Sequence, residues 1–210
     1  AWLPDGSGFW YTVYPPDDEY HRHVRFHRLG TDPADDPVVF DRLPTPESWA
    51  DVSVSHDGRW LLVHLMVGWS RVDVHLLDTV AGTWATVVEG VDAQTGFRVD
   101  RASLLGVTML DAPNGRVVRA PLDDPSTWTT LVAERPDVVV SRVTRCGDEL
   151  LLVASEVAVD RIERYPLDGG ERLSAVDLGA ASVVAMDTDA DAGRAFVAIG
   201  TFVAPVRLAR

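Results

Sequence analysis

Val54-Ser55-His56-Asp57-Gly58-Arg59-Trp60-Leu61-Leu62-Val63 is the stretch that decides the fold. Its first half is a turn: an Asp side chain accepts backbone N–H bonds, and the Gly after it tolerates positive φ. Its second half is a bulky apolar run too short for a helix, which reads as a strand. The same order occurs about 50 residues earlier, where Trp2-Leu3-Pro4-Asp5-Gly6 leads into the aromatic run Phe9–Tyr14. It returns twice more: Cys146-Gly147-Asp148 precedes Glu149–Ala154, and Asp191-Ala192-Gly193 precedes Arg194–Gly200.

A second run follows each first one and ends in a polar turn: Val24–Gly30, Val72–Asp78, Val117–Asp123 and Arg161–Gly169. A third follows at Pro37–Phe40, Thr83–Val88, Trp128–Val132 and Arg172–Leu178. Units of about 40–50 residues, each a meander of about four strands, mark the blades of a β-propeller. The expected fold is therefore all-β: one domain over 1–210, of about four blades of four-stranded antiparallel meanders. The approximate limits are 1–45, 46–92, 93–136 and 137–180, with a partial blade over 181–210. A β-sandwich is the competing fold, but it would make the repeated order of turn and strand accidental. No stretch of 12 residues carries a sustained helical apolar period with caps.

Composition narrows the function. Hydrophobic residues make up 46% and charged residues 24%, ordinary for a soluble globular protein. No apolar run approaches the ~20 residues of a membrane helix. The net charge of −13 argues against nucleic acid, whose phosphates it would repel. All 19 Lys-or-Arg positions are arginine. The single cysteine, Cys146, excludes an internal disulfide and favours a cytoplasmic setting. The chain opens at Ala1 rather than Met, as expected of a piece of a longer protein.

Several segments carry a resemblance to a family. They are Asp5-Gly6-Ser7-Gly8-Phe9-Trp10-Tyr11-Thr12-Val13-Tyr14-Pro15, then Val24-Arg25-Phe26-His27-Arg28-Leu29-Gly30-Thr31, then Asp35-Asp36-Pro37-Val38-Val39-Phe40. With Val54–Val63, Asp111-Ala112-Pro113-Asn114-Gly115 and Gly200-Thr201-Phe202-Val203-Ala204-Pro205, these resemble, in collinear order, the propeller of prolyl oligopeptidases. That family pairs a seven-bladed propeller with an α/β-hydrolase domain that cleaves short peptides after proline. The resemblance implies middle-to-late blades, with the hydrolase domain outside these residues.

Chemistry is correspondingly sparse. A hydrolase serine needs a glycine-flanked elbow, and neither Gly-x-Ser-x-Gly nor the family's equivalent occurs, so no catalytic residue is expected here. His21-x-His23 with His27 is the only metal-like cluster, and no Cys or carboxylate at suitable spacing completes it. Asp187-Thr188-Asp189-Ala190-Asp191-Ala192-Gly193 lacks the glutamate that a calcium loop needs. No metal or cofactor is expected.

The resemblance implies apolar substrate-binding residues instead. Propeller side chains help form the pocket for the third residue upstream of the cut, and by alignment these positions fall at Trp10, Trp69 and Ala50. Indoles suit such a pocket, yet Trp10 and Trp69 also suit packing between blades, Trp10 more so, and both roles stay open. The family's charged pair before Gly68 is replaced by Met66 and Val67, which reduces the polar contacts. Ala50 in place of a methionine would widen the pocket.

Two functions follow as expectations. The first is the substrate-gating propeller segment of a prolyl oligopeptidase-like serine peptidase, with proline-containing peptides and the parent's hydrolase domain as partners. The second is a stand-alone interaction module without enzymatic activity. Open blade edges at both ends would invite self-association in either case.

Overall fold

A computed structural model describes residues 1–210 and shows eighteen strands with no α-helix. They form five antiparallel sheets, each an up-and-down meander. The first sheet contains β1 (Gly8–Val13), β2 (His23–Arg28) and β3 (Val38–Phe40), with Trp2 bridging back to Phe9. The second is β4 (Trp49–Val54), β5 (Trp60–Val67), β6 (Arg71–Asp78) and β7 (Thr83–Val88). The third is β8 (Thr95–Asp100), β9 (Ser103–Thr108), β10 (Arg116–Pro121) and β11 (Thr129–Val132). The fourth is β12 (Val139–Cys146), β13 (Glu149–Glu156), β14 (Val159–Pro166) and β15 (Ser174–Asp177). β16 (Ser182–Asp189), β17 (Arg194–Gly200) and β18 (Arg207–Ala209) form the fifth. The expected all-β meanders are therefore present, three of four strands and two of three.

The turn that decides the sequence reading forms as its chemistry requires. The Ser55 hydroxyl donates to the Asp57 carboxylate at 2.5 Å and accepts the Trp60 N–H at 2.9 Å, while Asp57 also accepts the Arg59 N–H. β5 then emerges as a middle strand bonded on both sides, β4 on one and β6 on the other. Its near-continuous apolar sequence follows from burial on both faces. β13 repeats the arrangement in the fourth sheet.

Two compact units divide the chain, Ala1–Leu104 with Pro121–Thr127, and Leu105–Ala120 with Trp128–Arg210. The core of the first unit gathers Trp10, Val24 and Phe40 from the first sheet against Ala50, Leu61, Val63, Leu65 and Leu77 from the second. Phe26 tilts against Trp10 with ring centroids 5.0 Å apart, and Trp84 lies 5.4 Å from Phe40.

The second unit holds two apolar clusters, one around Leu105, Val117, Val140, Leu150 and Tyr165, the other around Leu151, Ile162, Met186 and Val197. A fully buried carboxylate, Glu163 on β14, sits at the meeting point of three arginines. Arg135 grips it with two bonds of 3.0 and 2.7 Å, and Arg161 and Arg172 each reach it at 2.8 Å. The Tyr165 hydroxyl adds a bond of 3.2 Å.

One glycine in this unit is under close constraint. Gly115 has φ +85°, and a Cβ there would stand 2.4 Å from the Val140 carbonyl oxygen. The approach is fixed from both sides, because the Val140 N–H donates to the Asn114 carbonyl at 2.8 Å. Gly115→Ala therefore meets both an unfavourable dihedral and a backbone clash. A loss of about 3 kcal/mol of stability is expected, and urea unfolding at neutral pH measures it.

Candidate functional site

A candidate for ligand contact is the turn that joins the two middle strands of a four-stranded sheet. In the second sheet this is the β5–β6 turn, where Gly68 takes φ +66° and lets the chain reverse within three residues. Trp69 at its tip is 99% exposed. The turn beneath it is tied down: the Trp69 carbonyl accepts the Gln94 side-chain amide at 2.6 Å, and Ser70 bonds the Asp92 carboxylate. Arg71 pairs with buried Asp73 at 2.5 Å, and Asp73 also accepts the Gly90 N–H. An indole is thus held out in water by a braced hairpin, which makes Trp69 a candidate contact residue.

The same end of this unit carries further aromatic surface. Trp49, at the start of β4, is half exposed and pairs in register with Met66. The Arg22 guanidinium stacks over the Trp49 ring at 4.2 Å and over the Tyr14 ring at 4.5 Å. Arg22 also donates to the Tyr14 hydroxyl. Two residues further along the same strands, Asp51 stands opposite His64, whose Nε2 accepts the Phe97 N–H at 3.0 Å. Burial pushes the His64 pKa down, against the smaller opposing pull of Asp51, so a neutral ring with its proton on Nδ1 fits this bond.

The three residues named by resemblance separate. Trp10 and Ala50 come together, but inside the core: Trp10 is 6% exposed and Ala50 fully buried. The Thr12 hydroxyl donates to the Ala50 carbonyl at 2.8 Å, tying the first sheet to the second there. Trp69 stands apart from them, in solvent. Sequence reasoning missed Trp49, Tyr14 and Arg22. The only available signal was that Trp49 adjoins Ala50 and therefore faces the opposite way on its strand.

The second unit has its own versions of this turn. Between β13 and β14, Val157 and Ala158 both take positive φ, 48° and 60°, and Val157 projects fully into solvent. A β-branched residue in that region is strained, and such strain collects at functional positions. Between β17 and β18, Phe202 and Val203 are fully exposed on a loop whose Thr201 hydroxyl accepts the Ala204 N–H.

No arrangement here resembles a nucleophile with its base. The Nδ1 atom of His27 lies 3.1 Å from both oxygens of buried Asp36, which also accepts the Tyr11 hydroxyl at 2.9 Å. His21 bonds Asp18 at 2.8 Å and His23 accepts from Arg25 at 3.0 Å, so the three neighbouring histidines have different partners. The Cys146 thiol is pushed up by burial and by Glu149, which holds it in the unreactive protonated form.

Repeated antiparallel meanders of three and four strands are the blades of a β-propeller. The model of the prolyl oligopeptidase N-terminal β-propeller domain matches residues 1–209, and the chain belongs to that family. It is 25% identical over 181 residues to a prolyl endopeptidase of Elizabethkingia meningoseptica, covering 80% of this chain and 25% of that protein. With the prolyl oligopeptidase ophP of Omphalotus olearius it shares 27% identity over 194 residues, 84% of this chain and 26% of the relative. A solved structure from an analysis of two prolyl endopeptidases superimposes with a TM-score of 0.88 at 26% identity, covering 99% of this chain and 32% of that one. The chain thus spans about a quarter to a third of the length of these relatives.

Proposed function

We propose that this chain is the substrate-gating segment of the propeller of a prolyl oligopeptidase-like serine peptidase. Short peptides would be cut after proline by an α/β-hydrolase domain that lies outside these residues. The middle-strand turns would face both the peptide and that domain. The observation that carries this reading is Trp69, an indole placed wholly in water by a turn braced from below. Trp49 and Tyr14 extend the same surface with flat rings suited to proline and other apolar side chains. Trp10 and Ala50 support it from the core. Cys146, as a free thiol, fits a cytoplasmic setting.

The division of labour is testable. The 210-residue chain should bind peptides without cleaving them, so a Gly-Pro-coumarin substrate should release no fluorophore. Turnover abolished by a serine-reactive fluorophosphonate would place a nucleophile in this chain and overturn the reading.

A further inference from the structure

Most arginines of this chain that reach an acidic side chain are spent on it: Arg59 on Asp78, Arg71 on Asp73 and Arg164 on Glu149 are examples. Arg22 is different. Its partners are two aromatic rings and one phenol hydroxyl, and no carboxylate pairs with it. The guanidinium carbon lies over both the Tyr14 and the Trp49 rings, and no carboxylate is bonded to it. A planar fork held this way suits a carboxylate, which takes two parallel N–H bonds.

Resting on the reading that this end of the chain meets a peptide, we propose that Arg22 makes it selective for an acidic side chain. The ligand class is a proline-containing peptide whose Asp or Glu reaches Arg22 while a neighbouring apolar residue lies on Trp49 or Trp69. Acidic residues around Arg22 sharpen the choice. Asp17, Asp18 and Glu19 lie in its own loop and Asp51 on the neighbouring strand. Asp18 is bonded to the Tyr20 N–H and the His21 ring, and Asp51 to the Val52 N–H. Against a chain charge of −13 these groups repel anionic peptides at long range. Only a carboxylate in direct contact with Arg22 gains, so position along the peptide is selected rather than overall acidity.

The test titrates the chain with two fluorescent peptides, identical except for Glu or Gln two residues before proline, and follows anisotropy. At low salt the Glu peptide should bind about tenfold more tightly, and the ratio should shrink at high salt. Arg22→Met should abolish the preference, leaving the Glu and Gln peptides with equal affinities, and Arg22→Lys should retain part of it. Equal affinity for the two peptides in the unaltered chain would overturn the inference and leave the peptide surface standing. Binding of neither would overturn both. A ratio unchanged in Arg22→Met would assign the selectivity to another residue and overturn the role of Arg22.

Discussion

Replacing Trp10 with alanine should cost roughly 3–5 kcal/mol of stability, the range for deleting a large aromatic from a packed core. Its indole lies among Val24, Phe40, Leu61 and Leu65, with Phe26 against its face. The strand that carries it is also held at the backbone, where the Trp10 N–H donates to the Ala1 carbonyl at 2.8 Å. Trp69→Ala should change stability by no more than about 0.5 kcal/mol, because that side chain leaves water on no face. Peptide affinity should respond in the opposite order. Trp69→Ala should weaken it severalfold, and a Trp10 variant that remains folded should keep most of it. Urea unfolding and peptide titration of the same two variants separate the core tryptophan from the surface one.

The second large effect concerns Glu163. Burial by itself would raise the carboxyl pKa, but Arg135, Arg161 and Arg172 outweigh it and hold the group at about 2, below its ordinary 4.5. A lowered carboxylate pKa stabilises the folded state above the unfolded value and ceases to do so as pH falls. The contribution is complete above about pH 4.5 and drains away toward pH 2, amounting to about 3 kcal/mol. Glu163→Gln should cost about 3–5 kcal/mol at pH 7, since it leaves three guanidiniums facing a neutral amide. The variant should also lose this part of the acid sensitivity. Urea midpoints of both proteins from pH 7 to pH 3 would show the two curves converging. Parallel curves would mean that the cluster titrates elsewhere.

Much of the fold was legible because its turns are local. Asp57-Gly58 and the strand after it involve only neighbours in sequence, so their chemistry can be read directly. The apolar runs Trp60–Leu65 and Leu150–Ala154 lie wholly within β5 and β13. The site was less legible, for reasons that are also physical. Phe9, Trp10 and Tyr11 are consecutive aromatics, so the alternation that tells inner from outer face is silent there. At Trp49-Ala50 a single step along the strand changes which face is presented, and a resemblance between families does not fix that step. Arg22 gave no signal at all, since Trp49, distant in sequence, comes beneath it only in the fold. Glu163 has Arg161 and Arg164 nearby in sequence, yet two of its three partners, Arg135 and Arg172, arrive from loops.

The central claim is that peptide meets the projecting turns rather than the aromatic core. All seven tryptophans can be labelled with 5-fluorotryptophan, and conservative Phe variants assign the fluorine resonances of positions 10, 49 and 69. On titration with a proline-containing peptide, the Trp69 and Trp49 resonances should shift together along one saturable curve while Trp10 stays in place. A shift at Trp10 with Trp69 unmoved would contradict the account.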